Sequence, residues 1–191
     1  MSIAPWRSPL AGALERNPHP VNSYLQLATV RADGRPANRT VVFRGFLENT
    51  DRLKFVIDAR SQKIEQIDRY PWAEACWYFS ETREQFRISG SLTLVRADHS
   101  DSALQQARQM SWHELSNAAR LQYTWPHPGE PRESAAFESL APAPAVPLLH
   151  FCLLLLEPAQ VDHLELRGEP QNRCIYDYHG NQSWSSQAIN P

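Results

Sequence analysis

Residues 38–46, NRTVVFRGF, carry the reading on which the fold turns. Valine, phenylalanine and threonine suit a pleated, half-buried surface, so a β-strand is expected here with an arginine near each end. Arginine is rarely buried unless paired, and Arg39 and Arg44 therefore call for a partner. Upstream, SYLQLATV (23–30) reads as a second strand, and the Asp33-Gly34 pair between the two marks a tight hairpin turn. Downstream, the polar LENTDR breaks the chain before a third strand, LKFVID (53–58). These three strands are expected to form a meander.

The rest of the chain alternates the same signals. A short helix is expected over Leu10 to Arg16. Another lies within DARSQKIEQIDRYP, capped by Asp58 or Ser61, with Ile64 and Ile67 on one face and Pro71 after its end. AEACWYF (73–79) and QFRISGSLTLV (85–95) form a second hairpin. Residues 98–110, opened by Asp98 or Ser100, and 112–123 read as two helices, and 124–147 is a proline-rich irregular loop. Trp112, Tyr123 and Trp125 near that loop are read as core or interface packing. Four strands are expected at the end, over 148–156, 160–166, 173–178 and 183–189. Many short strands with meander connections argue for a mainly β, antiparallel barrel or sandwich with a few helices, as one domain over residues 1–191.

Composition removes several function classes. With 19 basic and 21 acidic residues the net charge is −2, which lacks the clustered basic excess of a nucleic-acid surface. The three cysteines, Cys76, Cys152 and Cys174, have no C-x-x-C spacing and read as thiols of a reducing compartment. The N-terminus has no apolar signal core, and FCLLLLEP is too short to span a bilayer. The expectation is a soluble, cytoplasmic protein with neither nucleic-acid nor membrane partners. No G-x-G-x-x-G, Walker or G-x-S-x-G motif occurs, and the seven histidines show no metal-ligand spacing. No metal is expected.

What remains is an anion site. Arg39 and Arg44 lie on one strand, and Ser61, Gln62 and Lys63 fall where a helix begins. Free N–H groups and the helix dipole favour phosphate there, while lysine adds a point charge and arginine a fork matched to phosphate oxygens. Gln85 opens a strand whose polar face could bond a heteroaromatic ring. Arg87, on the same face, is read as solvent-facing.

With these residues in view, the chain resembles the pyridoxamine 5'-phosphate oxidase family of FMN-binding split barrels, within the cyanobacterial and plant branch of oxidase-related proteins. The family's R-x-V-x-x-[KR] strand is similar to RTVVFR, its S-R-K segment to RSQK, its E-R-Q entry to REQF, and its late arginine to NRCIYDY. The ending WSSQAINP also matches, and the likeness runs from about Tyr24 to the C-terminus. It implies a six-stranded antiparallel split barrel and a homodimer with FMN at the subunit interface. It also implies that Arg39 and Lys63 hold the FMN phosphate beside Ser61 and Gln62. Thr40 belongs to the same motif, and Val41, Val42, Val56 and Ile57 would present backbone to the flavin. Arg44 would lie near the ring, Gln85 would bond the ring or ribityl chain, and Arg173 would reach in from the partner subunit. Gln62 stands where the family has arginine, Leu164 where it has tryptophan, and Glu169-Pro170-Gln171 where the oxidase has its substrate-binding R-x-H. The expected function is an FMN-dependent oxidoreductase of unassigned substrate and catalytic residues. A non-enzymatic flavin carrier or sensor is the alternative, and a true pyridoxamine 5'-phosphate oxidase a third reading.

Overall fold

The computed structural model describes residues 3–132, 137, 140–181 and 183–191. Part of the proline-rich loop, at 133–136, 138 and 139, lies outside them. Eight strands form one antiparallel sheet: β1 (Tyr24–Val30), β2 (Pro36–Val42), β3 (Leu53–Asp58), β4 (Trp72–Phe79), β5 (Glu84–Val95), β6 (Phe151–Glu165), β7 (Asn172–Tyr178) and β8 (Trp184–Ile189). Their order is β2-β1-β4-β5-β6-β7-β8, and β3 pairs with the first half of β6. The start of β3 also meets the chain just after β2. Arg44 N donates to Lys54 O (2.9 Å), Lys54 N donates to Gly45 O (2.8 Å), and Phe46 bridges Leu53. Six strands, β2-β1-β4-β5-β6-β3, thus form a split ring, and β7 and β8 extend the sheet from the second half of β6.

The expected meander is therefore corrected. β1 and β2 are a hairpin, but β3 crosses to β6 instead of lying along β2. The strand read over 38–46 ends at Val42. Gly45, at φ +86°, turns the chain there, a conformation open to glycine but strained for other residues, and Arg44 leaves the ladder with β1.

The two strands expected at 148–156 and 160–166 are one strand of 15 residues. Pro158 suggested a break, since proline cannot donate to a ladder. The structure instead absorbs it at a bulge opposite Ser89 and Gly90. A Cβ on Gly90 would stand 2.0 Å from Glu157 O, so only glycine lets the strands meet. The unbroken apolar run 151–156 is buried on both faces. Cys152, Leu154 and Leu156 join the barrel core with Trp77, Phe55 and Phe86. Leu153 and Leu155 pack with Val95 under Leu104 and Ala107.

Among the described residues four α-helices flank the sheet: α1 (Arg7–Arg16), α2 (Lys63–Arg69), α3 (Ser102–His113) and α4 (Asn117–Leu121). α1 begins three residues before its expected start and buries Leu10 and Ala13. α2 has Gln62 at its N-cap, with no side-chain cap bond, instead of the expected Asp58 or Ser61. Asp101 caps α3, accepting from Ala103 N (2.8 Å) and Leu104 N (3.1 Å), where Asp98 or Ser100 was expected. Ser116 caps α4, accepting from Ala119 N at 3.2 Å, so the helix expected from residue 112 starts later and is short. Among the described residues no helix is long and apolar enough to cross a membrane, and all three cysteines are free.

Candidate functional site

The β3–α2 junction gathers two cations that, among the described residues, form no ion pair. Arg39 lies on β2 opposite Leu27, on the face that also carries buried Ala37 and Val41. Its guanidinium reaches toward α2. Nη1 donates to Leu27 O (3.0 Å) and Thr29 Oγ1 (2.6 Å), and Nη2 to Gln66 Oε1 (3.0 Å), which also accepts from Thr29 Oγ1 (2.7 Å). Lys63 opens α2, and its Nζ donates to Ser61 Oγ at 2.9 Å.

The electrostatics follow from that placement. Burial lowers the Lys63 pKa and the Arg39 charge lowers it further, while Asp58 pulls the other way. Arg39 is also lowered, by burial and then by Arg31. Among the described residues neither cation has an ion pair. Asp58 is committed elsewhere. Burial pushes its pKa up, but hydrogen bonds from Arg60 outweigh that and hold it below the usual carboxylate value.

The other expected site residues divide. Ser61 donates to Asp58 O (2.8 Å) and accepts from Lys63. Gln62 is exposed beside the proline-rich stretch, with its Nε2 3.8 Å from where a Cβ on Gly129 would be. Thr40 is exposed, and Val42 stands on the outward sheet face opposite Tyr24. Val41 and Ile57 are core residues, whereas Val56 packs on a separate cluster of Trp112, Leu115, Tyr123 and Phe151. Trp112 and Tyr123 are thus core groups, and Trp125 is partly exposed against Phe137. Arg44 is exposed, with no side-chain hydrogen bond or ion pair among the described residues, and its charge is felt by the Tyr123 hydroxyl.

Gln85 and Arg173 form a second group, away from α2. Both lie opposite Leu164 on β6. Arg173 is held bidentately by Asp162, through Nε (3.0 Å) and Nη2 (2.8 Å). Arg87, read as solvent-facing, bonds the same carboxylate and stands 3.9 Å from Glu74. One chain therefore brings Arg39, Ser61 and Lys63 together but does not bring Gln85 or Arg173 to them.

Sequence reasoning missed Thr29, Gln66 and Arg60, and read Asp58 as a helix cap. A threonine inside SYLQLATV and a glutamine one turn after Lys63 were the available signals for the first two. A further titratable group, Glu84, His163 and Glu165, offers three ligand atoms within 4.8 Å of one another. Glu84 is already met by His163 Nε2 (3.0 Å) and Arg16 Nη2 (2.8 Å), and Phe86 stacks on His163 at 4.1 Å. Glu84 and His163 are therefore already engaged with each other and with Arg16.

A family model described as pyridoxamine 5'-phosphate oxidase, FMN-binding domain, matches residues 3–96. A protein of Arabidopsis thaliana named pyridoxine/pyridoxamine 5'-phosphate oxidase 2 is 43% identical over 197 residues, covering 99% of this chain and 98% of that one. The crystal structure of a pyridoxamine 5'-phosphate oxidase-related, FMN binding protein from Nostoc punctiforme superposes with a TM-score of 0.96 at 61% identity, covering all of both chains. A pyridoxine/pyridoxamine 5'-phosphate oxidase from Cyanothece is 36% identical over 78 residues, covering only 40% of this chain and 35% of that one.

Proposed function

Because this chain belongs to the FMN-binding pyridoxamine 5'-phosphate oxidase family, we propose that it is an FMN-dependent oxidoreductase whose cofactor phosphate is held by Arg39 and Lys63. The observation that carries this reading is the pair of cations at the β3–α2 junction, where the Arg39 charge acts on Lys63 and, among the described residues, neither side chain forms an ion pair. A dianionic phosphate would relieve that repulsion and accept charge-assisted hydrogen bonds from both. Ser61 adds a hydroxyl, and Gln66 and Thr29 fix the Arg39 fork. FMN fits this donor set.

When bound, FMN supplies two-electron redox chemistry, and the protein supplies binding and orientation. Backbone of Val41, Val42, Val56 and Ile57 would line the flavin, with Thr40 beside it and Arg44 at its reactive end. Gln62 leaves the phosphate one cation poorer than an arginine would. The chain acts as one domain and as a homodimer, in which a second copy brings Arg173 and Gln85 bonds the flavin. Tyr24, Trp72 and Tyr78, 48%, 57% and 45% exposed, offer that copy an aromatic outward face.

The name of the Arabidopsis relative favours a second reading, oxidation of pyridoxamine 5'-phosphate. Glu169, Pro170 and Gln171 line a cavity of about 590 Å³ together with Arg83 and Arg167. An anionic group entering there meets a carboxylate as well as two guanidiniums. This arrangement supports a substrate site rebuilt for another ligand. The test is to photoreduce the holoprotein and follow its reoxidation by oxygen, quinones and NADP⁺. Fast reoxidation by one acceptor is the expected result, and inertness toward all of them would point to a flavin carrier.

A further inference from the structure

We infer that Arg60 is a positioning residue that couples cofactor occupancy to the conformation of the stretch after α4, an inference that rests on Ser61 and Lys63 meeting the FMN phosphate. Arg60 stands between the end of β3 and Ser61, and its side chain is 24% exposed. Its Nε and Nη2 grip Asp58 at 2.7–3.2 Å, and its own N–H donates to Asp58 Oδ1 at 2.8 Å. The rest of the fork reaches the chain beyond α4. Nη1 donates to Trp125 O (3.1 Å) and Nη2 to Tyr123 O (3.3 Å).

Two sets of hydrogen bonds meet at Asp58, one on its backbone carbonyl and one on its carboxylate. Lys63 donates to Ser61, Ser61 donates to Asp58 O through N (3.1 Å) and Oγ (2.8 Å), Asp58 holds Arg60, and Arg60 holds Tyr123 and Trp125. Their far ends are the proposed phosphate ligand and the start of the proline-rich stretch. Side-chain packing runs in parallel. The Tyr123 ring lies in the cluster against which Val56 packs, and Gly129 approaches Gln62. Tyr123 O is also met by the His150 ring. An anion that draws Lys63 and Ser61 toward itself acts on the same Asp58 that orients Arg60. Coupling of this kind is reciprocal. FMN slows opening of residues 123–130, and fixing those residues tightens FMN.

A purely structural anchor would loosen the stretch when removed but leave the effect of FMN on it unchanged. Amide hydrogen–deuterium exchange of residues 123–130, measured without ligand, with FMN and with riboflavin, separates the two. In the wild type, saturating FMN is expected to slow exchange at least tenfold and riboflavin less than threefold. In Arg60→Met the FMN protection falls below threefold and the FMN Kd rises about tenfold. Arg60→Lys, which keeps a charge for Asp58 but cannot fork to both carbonyls, gives the same loss of protection and carries the test if the methionine variant does not fold. Wild-type protection in either folded variant overturns the coupling. Lys63→Ala distinguishes the underlying reading. If it leaves the preference for FMN over riboflavin intact, the phosphate assignment fails. If it abolishes the preference while Arg60→Met keeps full protection, the coupling alone fails.

Discussion

Gln66 decides where the Arg39 fork points. An arginine on a strand facing the core would otherwise search for solvent, because its desolvation is costly. Gln66 Oε1 and Thr29 Oγ1 supply neutral acceptors 3.0 and 2.6 Å away, so the charge is oriented without being neutralised. Gln66→Leu is therefore expected to weaken FMN binding by roughly tenfold, or ~1.4 kcal/mol, while riboflavin binding stays unchanged. Parallel fluorescence titrations with the two flavins check this, and an equal loss for both would place Gln66 in general packing. The pairing of Arg39 with Lys63 was legible from residue types and order. The Gln66–Thr29 brace was not, because neither residue type is distinctive and the two meet only after α2 folds back on β1.

At the scale of elements, β5 and β6 hold the barrel together, and Gly90 is their point of closest approach. Gly90→Ala sets a methyl against Glu157 O, where no flexible side chain can give way. Overpacking of this kind costs about 3 kcal/mol, and a lower urea midpoint should show it. Gly90 and Pro158 were visible in the sequence, but the bulge that needs both depends on register, which single-strand patterns do not contain. The continuous apolar run 151–156 hid its own length for a related reason. With both faces buried it shows no alternation.

Asp162 links β5, β6 and β7 through Arg87 and Arg173. Burial raises its pKa, but hydrogen bonds from Arg173 and Arg87 outweigh burial and hold it below the usual carboxylate value. A carboxylate depressed in this way stabilises the fold above its unfolded value, near 4, and the contribution is lost as pH falls through the folded value. Asp162→Asn should thus be less stable than wild type at pH ~7, and the two urea midpoints should converge below pH ~4. A gap unchanged across that range would mean that the lost stability does not come from the carboxylate charge.

For the whole molecule, a mainly β antiparallel barrel was legible, whereas the strand count, six expected against eight in the sheet, and the path of β3 were not. Short loops favour neighbouring strands, yet β3 takes its main partner from β6, some hundred residues later. The Arg44 turn at Gly45 permits that crossing. The two groups of expected site residues share no hydrogen bond among the described residues, and the proposed homodimer would join them. Light scattering should give twice 21.8 kDa, and a monomer retaining FMN would contradict the shared site. Pyridoxamine 5'-phosphate should turn over more than tenfold slower than with a known oxidase, if the proposed replacement of the oxidase's substrate cations by Glu169 and Gln171 holds. Turnover within roughly tenfold, a barrier difference of only ~1.4 kcal/mol, would restore the oxidase reading. The central claim is that Arg39 and Lys63 hold the FMN phosphate, and its most direct measurement compares FMN with riboflavin affinity in the wild type and in Arg39→Ala/Lys63→Ala. The account predicts that the wild type prefers FMN strongly and that the double variant loses more than ~3 kcal/mol of FMN binding, leaving the two flavins nearly equal. An unchanged preference for FMN would contradict it.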